Sequence, residues 1–180
     1  MRRLSLLAVL ALLAVSCGSE SSSGGVASFF PADNEVAGWT EDTTLGQPGV
    51  EVFATKATAE GVIDGDVEPF AAVGFTSFAR NYYVNAAYKI ELRVWDMGTA
   101  TKNTALYDDL VASDPLYSAN TWEAQSIGDA GRIADLGSNW WVNARKGQYY
   151  VEVKINQTSS GDAAARADGI AFLTAVVAKI

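Results

Sequence analysis

Apolar and charged side chains alternate from Tyr88 to Trp95, and this alternation is the clearest structural signal in the chain. Successive side chains of a strand point to opposite faces, so a period of two predicts a strand with one buried face. The run from Phe78 to Val84 is also strand-like. The short link Asn85-Ala86-Ala87 between the two runs therefore predicts an antiparallel hairpin.

A helix is predicted directly after this hairpin. Thr99 is a typical N-cap residue, because its hydroxyl can accept a hydrogen bond from a free N–H of the first turn. Asp114-Pro115 marks the end of the helix, since the residue before proline disfavours helical geometry. Between these limits, apolar residues recur at helical spacing: Leu106, Tyr107, Leu110 and Val111.

The same order of elements returns near the C-terminus. The sequence Asn-Tyr-Tyr-Val-Asn-Ala at 81–86 is echoed by Asn-Trp-Trp-Val-Asn-Ala at 139–144, and the strand at 88–94 is echoed at 149–155. A cap at 159–162 then predicts a last helix, which has one apolar stripe: Ile170, Leu173, Val177 and Ile180.

We predict that these segments are two strand-strand-helix repeats, at about 76–113 and 138–180, that arose by duplication. The alternative is that any two amphipathic hairpins look alike, because strands favour aromatic and β-branched residues. With further strands predicted near 50–55, 122–127 and 131–136, the whole is an α+β domain over residues 28–180. We expect an antiparallel sheet of about six or seven strands with helices on one face.

The N-terminus has the features of a signal peptide over residues 1–16. Met1-Arg2-Arg3 is basic, and an apolar run from Leu4 to Val15 follows. Ala14-Val15-Ser16-Cys17 resembles the bacterial lipobox, in which the cysteine is lipidated and becomes the new N-terminus, although Ala14 stands where leucine is usual. The alternative is an ordinary secretory peptide that is cleaved nearby. We expect lipidation of Cys17, because a lone thiol in an oxidising compartment is otherwise a liability.

Residues 17–27 contain a Gly/Ser tract, which predicts a flexible tether between the lipid and the domain. The protein is therefore predicted to be exported and lipid-anchored to the cell envelope, at the outer membrane or the outer face of the cell membrane. Its partners would be the membrane, through the N-terminal lipid, and an envelope protein or glycan.

Composition excludes several function classes. Without the signal peptide, eleven basic residues face twenty-one acidic ones, a net side-chain charge of −10, which argues against nucleic acid as a partner. The chain has no histidine, so Ser-His and Cys-His nucleophiles and histidine-ligated metals are absent. We predict no cofactor and no enzymatic activity.

Three segments resemble a family of exported bacterial proteins of unknown function. The family carries I-N-G-G-A-E followed by Y-G-F, and here residues 63–68 and 73–75 read I-D-G-D-V-E and V-G-F. Its Y-D-M-G segment corresponds to W-D-M-G at 95–98, and its K-G-x-Y-Y segment to residues 146–150. The resemblance implies export and one α+β domain, and it brings no known activity.

Carboxylates at alternating positions form a candidate calcium site at Asp64, Asp66 and Glu68. The spacing is only partly like that of an EF-hand, because Pro69 replaces the required glycine. The alternative is a helix N-terminus, where acidic side chains are favourable. A glycosidase-like carboxylate pair would draw on Asp64, Glu68, Asp108 and Asp109, but no spacing singles out a pair.

Three aromatic pairs lie on predicted strands. Neighbours in a strand point to opposite faces, so one member of each pair would leave a core that helices cover on one side only. Aligned outward members would form an exposed binding face for a sugar or a protein. The alternative is that another segment, such as Phe29-Phe30, covers that face. The candidate residues are Tyr82, Tyr83, Trp140, Trp141, Tyr149 and Tyr150.

The sequence therefore predicts a lipid-anchored, non-catalytic binding module of the envelope. The alternative is a small carbohydrate-active or calcium-dependent protein that uses the carboxylates and exposed aromatics.

Overall fold

A computed structural model describes residues 25–63 and 65–180. The predicted signal peptide, Cys17 and Asp64 lie outside these residues. A short 3-10 helix at Val26–Phe29 comes first, and the other elements follow in this order: β1 Thr40–Glu41, β2 Glu51–Phe53, α1 Lys56–Glu60, α2 Glu68–Val73, β3 Ser77–Val84, β4 Lys89–Asp96, α3 Ala100–Ser113, α4 Pro115–Ser118, β5 Glu123–Gln125, β6 Ala130–Asp135, β7 Asn139–Lys146, β8 Tyr149–Asn156 and α5 Ala163–Lys179.

The strands form one antiparallel sheet in the order β1-β3-β4-β8-β7-β6-β5, and β2 also pairs with β3. The predicted α+β class and antiparallel sheet are confirmed, with eight strands rather than six or seven. Both predicted hairpins are present, as β3–β4 and β7–β8. Their second strands, β4 and β8, pair with each other.

The two faces of the sheet differ in chemistry. One face, here called the apolar face, presents Ile90, Leu92 and Val94 of β4 to the helix α5, which contributes Phe172 and Leu173. The helix packs closely because Gly169 has no side chain: a Cβ there would lie 3.0 Å from methyl carbons of both Ile155 and Val142. Close packing of this kind makes the apolar face a dry core.

The opposite face, here called the charged face, carries Arg93 of β4 and Glu152 and Lys154 of β8. It is covered in part by the helices α2, α3 and α4, which contribute Phe70, Leu106 and Tyr117 to a second core. The expectation that helices cover only one face is therefore wrong, because the sheet has an aromatic core on this side as well. Trp95 is its centre, and its ring is stacked between Phe70 and Phe78 at centroid distances of 3.9 and 4.0 Å.

The predicted helix signals are confirmed at the caps. The Thr99 hydroxyl accepts a hydrogen bond from Lys102 N–H, and the carboxylate of Asp162 accepts from Ala164 and Ala165 N–H. Gly74 ends α2 in the left-handed region, at φ 84°. The apolar stripe predicted for the last helix is only partly right. Leu173 and Val177 are buried, but Ile170 and Ile180 are half-buried. The other buried residues of α5 are Ala165, Gly169, Phe172 and Val176.

The two predicted repeats are related in their hairpins and differ in their helices. The predicted alignment of residues 88–94 with 149–155 makes Leu92 equivalent to Val153. In the sheet these two residues pair with each other, and the pairs Glu91–Lys154 and Arg93–Glu152 lie on either side of them, as expected for two equivalent strands. The helices break the relation, because α3 packs on the charged face and α5 on the apolar face. Duplication as their origin stays a prediction.

The folded domain begins earlier than the predicted residue 28. Val26 is 2% exposed and belongs to the core beneath α5. Lys179 Nζ donates to the Phe30 carbonyl at 3.0 Å and ties this N-terminal segment to the end of α5. Residues 17–24 of the predicted tether lie outside the described residues, so the tether stays a prediction. No helix within residues 25–63 and 65–180 combines the length and hydrophobicity needed to span a bilayer.

Candidate functional site

A row of polar side chains crosses the charged face from one strand to the next. Each member pairs directly with the next across neighbouring strands, so all of them point to the same side of the sheet. We call this set the charged row: Glu51, Arg80, Arg93, Glu152, Asn143 and Arg132. Four of its members are charged side chains that are at least nine-tenths buried: Arg80, Arg93, Glu152 and Arg132.

Arg93 has two carboxylate partners. Its Nη1 donates to Asp66 Oδ2 at 2.8 Å, and its Nε donates to Glu91 Oε1 at 2.7 Å. Lys154 Nζ also lies 3.0 Å from Asp66 Oδ2. Burial alone would raise the pKa of Asp66, but the charges of Lys154 and Arg93 outweigh it and hold that pKa below its usual range.

Glu152 is 1% exposed and is held by two neutral donors. The Tyr117 hydroxyl donates to Oε1 at 2.5 Å, and Trp95 Nε1 donates to Oε2 at 3.3 Å. Burial and the neighbouring Glu152 charge raise the pKa of Tyr117 well above its usual value. The phenol therefore stays protonated and keeps donating, which ties α4 to the centre of the sheet.

The two outer arginines of the charged row, Arg80 and Arg132, differ in their partners. Arg80 is paired, because its Nε donates to Glu51 Oε2 and its Nη1 to the Val62 carbonyl, both at 2.6 Å. Arg132 donates from Nη1 to the Tyr107 carbonyl at 2.8 Å, and no carboxylate of the described residues lies within 4.0 Å of its nitrogens. Instead, three aromatic rings surround it.

Beyond the helices, the charged face is open and forms a groove of three adjoining pockets. The first, of about 280 Å³, is lined by Tyr82, Lys89 and Glu91 among others, and it shares Lys154 with the second. The second, of about 140 Å³, is lined by Trp141, Leu116 and Leu136. The third, of about 320 Å³, shares Leu116 with the second and is lined by Asp66 and Tyr117. We call these three pockets the open groove.

The open groove combines apolar rims with polar walls. Leu45 and Leu116, which are 38% and 44% exposed, lie in different pockets of the groove. Lys154 lies between them, with Nζ 4.5 Å from the centre of the Trp141 ring and 3.0 Å from Asp66. A concave surface that joins an aromatic ring to a few fixed polar groups is typical of ligand-binding sites.

The structure brings only part of the predicted calcium site to the groove. Asp66 faces Arg93 and Lys154, as described above, whereas Glu68 lies in the first turn of α2 and forms an ion pair with Lys56 at 2.7 Å. This arrangement agrees with the alternative of a helix N-terminus. Within residues 25–63 and 65–180, no cluster of three or more acidic, histidine or cysteine side chains is arranged to hold a metal ion.

The exposed aromatic face is not formed. As predicted, neighbours of each pair point to opposite faces, with Trp140 in the core beneath α5 and Trp141 in the core beneath α3 and α4. Trp141 and Tyr150 on the charged face are covered by the helices there, whereas Tyr82 on the same face lines the first pocket of the groove. Phe29, the predicted alternative cover, packs edge-on against Tyr149 at 4.9 Å. Of the six candidates, Tyr82 and Tyr149 are half-buried. The other four are at most 7% exposed: Tyr83, Trp140, Trp141 and Tyr150.

The candidate acids on α3 do not belong to a cleft. Asp108 and Asp109 are exposed, and Asp109 bonds to Ser113 one turn later. Sequence reasoning missed Arg93, Glu152 and Lys154, because alternation alone assigned these charged residues to solvent. The available signal was that both central strands carry charges of opposite sign at facing positions, Glu91 and Arg93 on β4 and Glu152 and Lys154 on β8.

Searches with family models found no match to this chain, and searches of curated proteins found no significant match. The resemblance to the exported family therefore stays a prediction. Among solved structures, the fold is similar to that of the extracellular domain of PknH from Mycobacterium tuberculosis, with a TM-score of 0.50. The similarity covers 83% of this chain and 93% of that domain at 10% sequence identity, and it shows a shared fold.

Proposed function

We propose that this chain is an exported envelope lipoprotein whose domain binds another envelope component in the open groove without catalysing a reaction. The groove is the observation that carries the proposal: it is concave, joins Trp141 to Lys154, and has two exposed leucines in its walls. Leu116 is 44% exposed beside the Trp141 ring, and the two give the groove adjoining apolar surface that a partner could bury.

The carboxylates of the groove favour binding over acid–base chemistry. A general acid needs a raised pKa so that it holds a proton near neutral pH. The pKa of Asp66 is lowered instead, with Lys154 and Arg93 as the cause, and Glu91 is bonded to Arg93. Both groups therefore serve as fixed charges that hold the groove in shape.

The lipid anchor is supported by the sequence and by the length of the tether. Eight residues lie between Cys17 and the buried Val26, and an extended chain over these nine Cα–Cα steps spans about 30 Å. A lipidated Cys17 would hold the domain close to the membrane surface. The fold it shares with an extracellular domain supports a location outside the cytoplasm.

Metabolic labelling with a fatty-acid analogue tests the anchor. We expect the wild-type chain to carry the label and to sediment with membranes, and Cys17→Ser to lose both properties. A wild-type protein that is processed and exported without label would contradict lipidation and favour the ordinary secretory peptide.

Site-specific photo-crosslinking in cells tests the groove. Leu116 lies in the groove, and Val52 is equally apolar and 53% exposed on the distant edge strand β2. We expect a photoreactive residue at 116 to give a discrete cross-linked species, and the same residue at 52 to give none. Equal cross-linking from both positions would contradict a role of the groove.

A carbohydrate ligand is a second candidate. It is favoured by the polar lining of the first pocket, where the Tyr82 ring and the side-chain amides of Asn139 and Asn156 meet. Aromatic rings and amides are the groups that commonly hold sugars. A glycan array with wild type and Tyr82→Ala should show a signal that the variant loses. Saturable stabilisation by calcium that Asp66→Ala abolishes would instead favour a metal site.

A further inference from the structure

Arg132 is a buried cation with an unused hydrogen-bonding edge. It is 6% exposed, and among the described residues its Nη1 donates a hydrogen bond to the Tyr107 carbonyl. Nε and Nη2 have no partner among the described residues. These two nitrogens form one edge of the guanidinium plane, and this edge is the one that pairs with a carboxylate through two parallel N–H···O bonds.

The neighbouring rings do not satisfy this edge. The guanidinium carbon of Arg132 lies 3.9 Å from the centre of the Tyr107 ring, 4.9 Å from that of Trp122 and 5.6 Å from that of Tyr117. A ring beneath a guanidinium attracts its charge. The in-plane N–H groups still need acceptors, because a buried donor without a partner loses its hydrogen bonds to water and gains none in return.

Further unpartnered donors lie beside Arg132. Asn143 pairs directly with Arg132 across β6 and β7 and is fully buried, and neither of its amide atoms is hydrogen-bonded to a described residue. Trp141, two residues along the same face, is 2% exposed, and its Nε1 has no hydrogen-bond partner in the described part of the chain. A single acceptor group with two oxygens could meet several of these donors at once.

Within residues 25–63 and 65–180, no carboxylate forms an ion pair with Arg132. Glu152, the nearest carboxylate along the charged row, already accepts from Tyr117 and Trp95. Burial and the Glu152 charge raise the pKa of Tyr150, and the charge of Arg132 and a hydrogen-bonding contact with it oppose this rise. Arg132 therefore has the Tyr150 hydroxyl as a neighbour, but a neutral phenol cannot balance a cation. An isolated buried charge is strongly unfavourable, so a ligand that carries a negative charge is expected to bind there.

We propose that Arg132, with Asn143 and Trp141, binds the carboxylate group of a ligand beneath α4. The ligand would approach from the open groove, because Tyr117 of α4 lines its third pocket and its ring lies 4.5 Å from that of Trp141. This assignment goes beyond the proposed function and depends neither on the lipid anchor nor on the groove partner.

Acetate titration tests the site with the smallest suitable carboxylate. Sodium acetate is exchanged for sodium chloride at constant ionic strength, and the melting temperature of the full chain is measured in detergent. We expect a response that begins near the Kd of acetate and then raises the melting temperature by about 3–5 °C for each further tenfold rise of acetate. Arg132→Lys keeps the positive charge but lacks the two parallel N–H donors of the guanidinium edge. This variant should therefore show no rise in melting temperature with acetate.

Arg166→Lys is the matched control, because Arg166 is a partly exposed arginine on α5 that pairs with Glu123. It should keep the full response to acetate. If Arg132→Lys does not fold, selective arginine labelling of the wild type gives a second readout, and the Arg132 Nε–H resonance should shift saturably with acetate and stay unchanged with chloride. Equal effects of the two anions, or a retained response in Arg132→Lys, would overturn the proposal.

Discussion

The two faces of the sheet use different means to stay buried. On the apolar face, α5 packs Phe172 and Leu173 against β-branched and leucine side chains, and almost any well-shaped apolar group would serve. On the charged face, Arg93 and Glu152 lie equally deep, and each needs named partners. Apolar burial has no direction, whereas a buried charge is tolerated only in a specific geometry. The charged face is therefore the one where function and strain are expected to concentrate.

The charged face itself contains a further contrast. Arg93 and Arg132 are both 6% exposed and belong to the same row. Arg93 is held by Asp66 and Glu91, but Arg132 has no carboxylate partner among the described residues. The paired Arg93 holds Asp66 and Glu91 in place, whereas the unpaired edge of Arg132 is where we propose that a ligand carboxylate binds.

The largest expected effect lies on the apolar face. Phe172 is fully buried and packs against Tyr83 and Trp39, at centroid distances of 4.8 and 5.3 Å. Phe172→Ala should lower the free energy of unfolding by about 3–5 kcal/mol, because it removes apolar contacts and leaves a cavity. Urea denaturation would measure the loss, and Phe172→Leu should recover part of it. A loss below that of Glu152→Gln would contradict the dominance of the apolar face.

Glu152→Gln probes the charged face without changing the shape of the side chain. The amide keeps one acceptor but puts an NH₂ group opposite a donor, so we expect a loss of about 2 kcal/mol. Glu123→Gln, on the exposed edge strand β5, is the control and should change the stability little. Equal stability of both variants would show that the buried carboxylate is not needed to hold Tyr117 and Trp95.

Asp66→Asn tests the ion pairs of Arg93 and should cost about 1.5 kcal/mol at neutral pH. The pKa of Asp66 is lowered from 3.8, so its contribution is fully present above that value and is lost as the pH falls through the folded-state pKa. The difference in urea midpoint between wild type and variant should therefore shrink on acidification below pH 3.8. A difference that stays constant would contradict the charge origin. Asp108→Asn, at an exposed position of α3, should show no such difference.

The smallest expected effect concerns a helix cap on the charged face. The Thr99 hydroxyl accepts from Lys102 N–H at 3.2 Å, and Thr99→Ala leaves this donor to water. The loss should be about 1 kcal/mol, measured by urea denaturation. Thr99→Ser should retain most of the stability, and an equal loss in both variants would show that the hydroxyl is not the stabilising group.

Local elements could be predicted because their signals are contained in a few neighbouring residues. The hairpin β3–β4 follows from alternation, and α3 follows from a cap at Thr99 and a stop at Asp114-Pro115. The helix α2 ends at Gly74, since glycine adopts the left-handed region without strain. Elements with weak local signals were missed, such as the five-residue helix α1.

The candidate site could be predicted only in part. Asp66, Trp141 and Tyr82 were chosen from the sequence and do line the open groove. Their predicted roles differ from those they have, because Asp66 binds Arg93 and Lys154, and Trp141 is buried. Partners that are 27 and 88 residues apart in the chain leave no mark in a local pattern.

Composition and local order decided which elements form, where helices begin, and which chemistry is absent from a chain without histidine. Tertiary structure alone decided that helices cover both faces, that the charged row is buried, and that Arg132 has no carboxylate partner among the described residues. The physical reason is the distance along the chain between the groups that interact. Hydrogen bonds of a turn or a cap form between near neighbours, but the cost of burying a charge depends on every group that the whole fold brings around it.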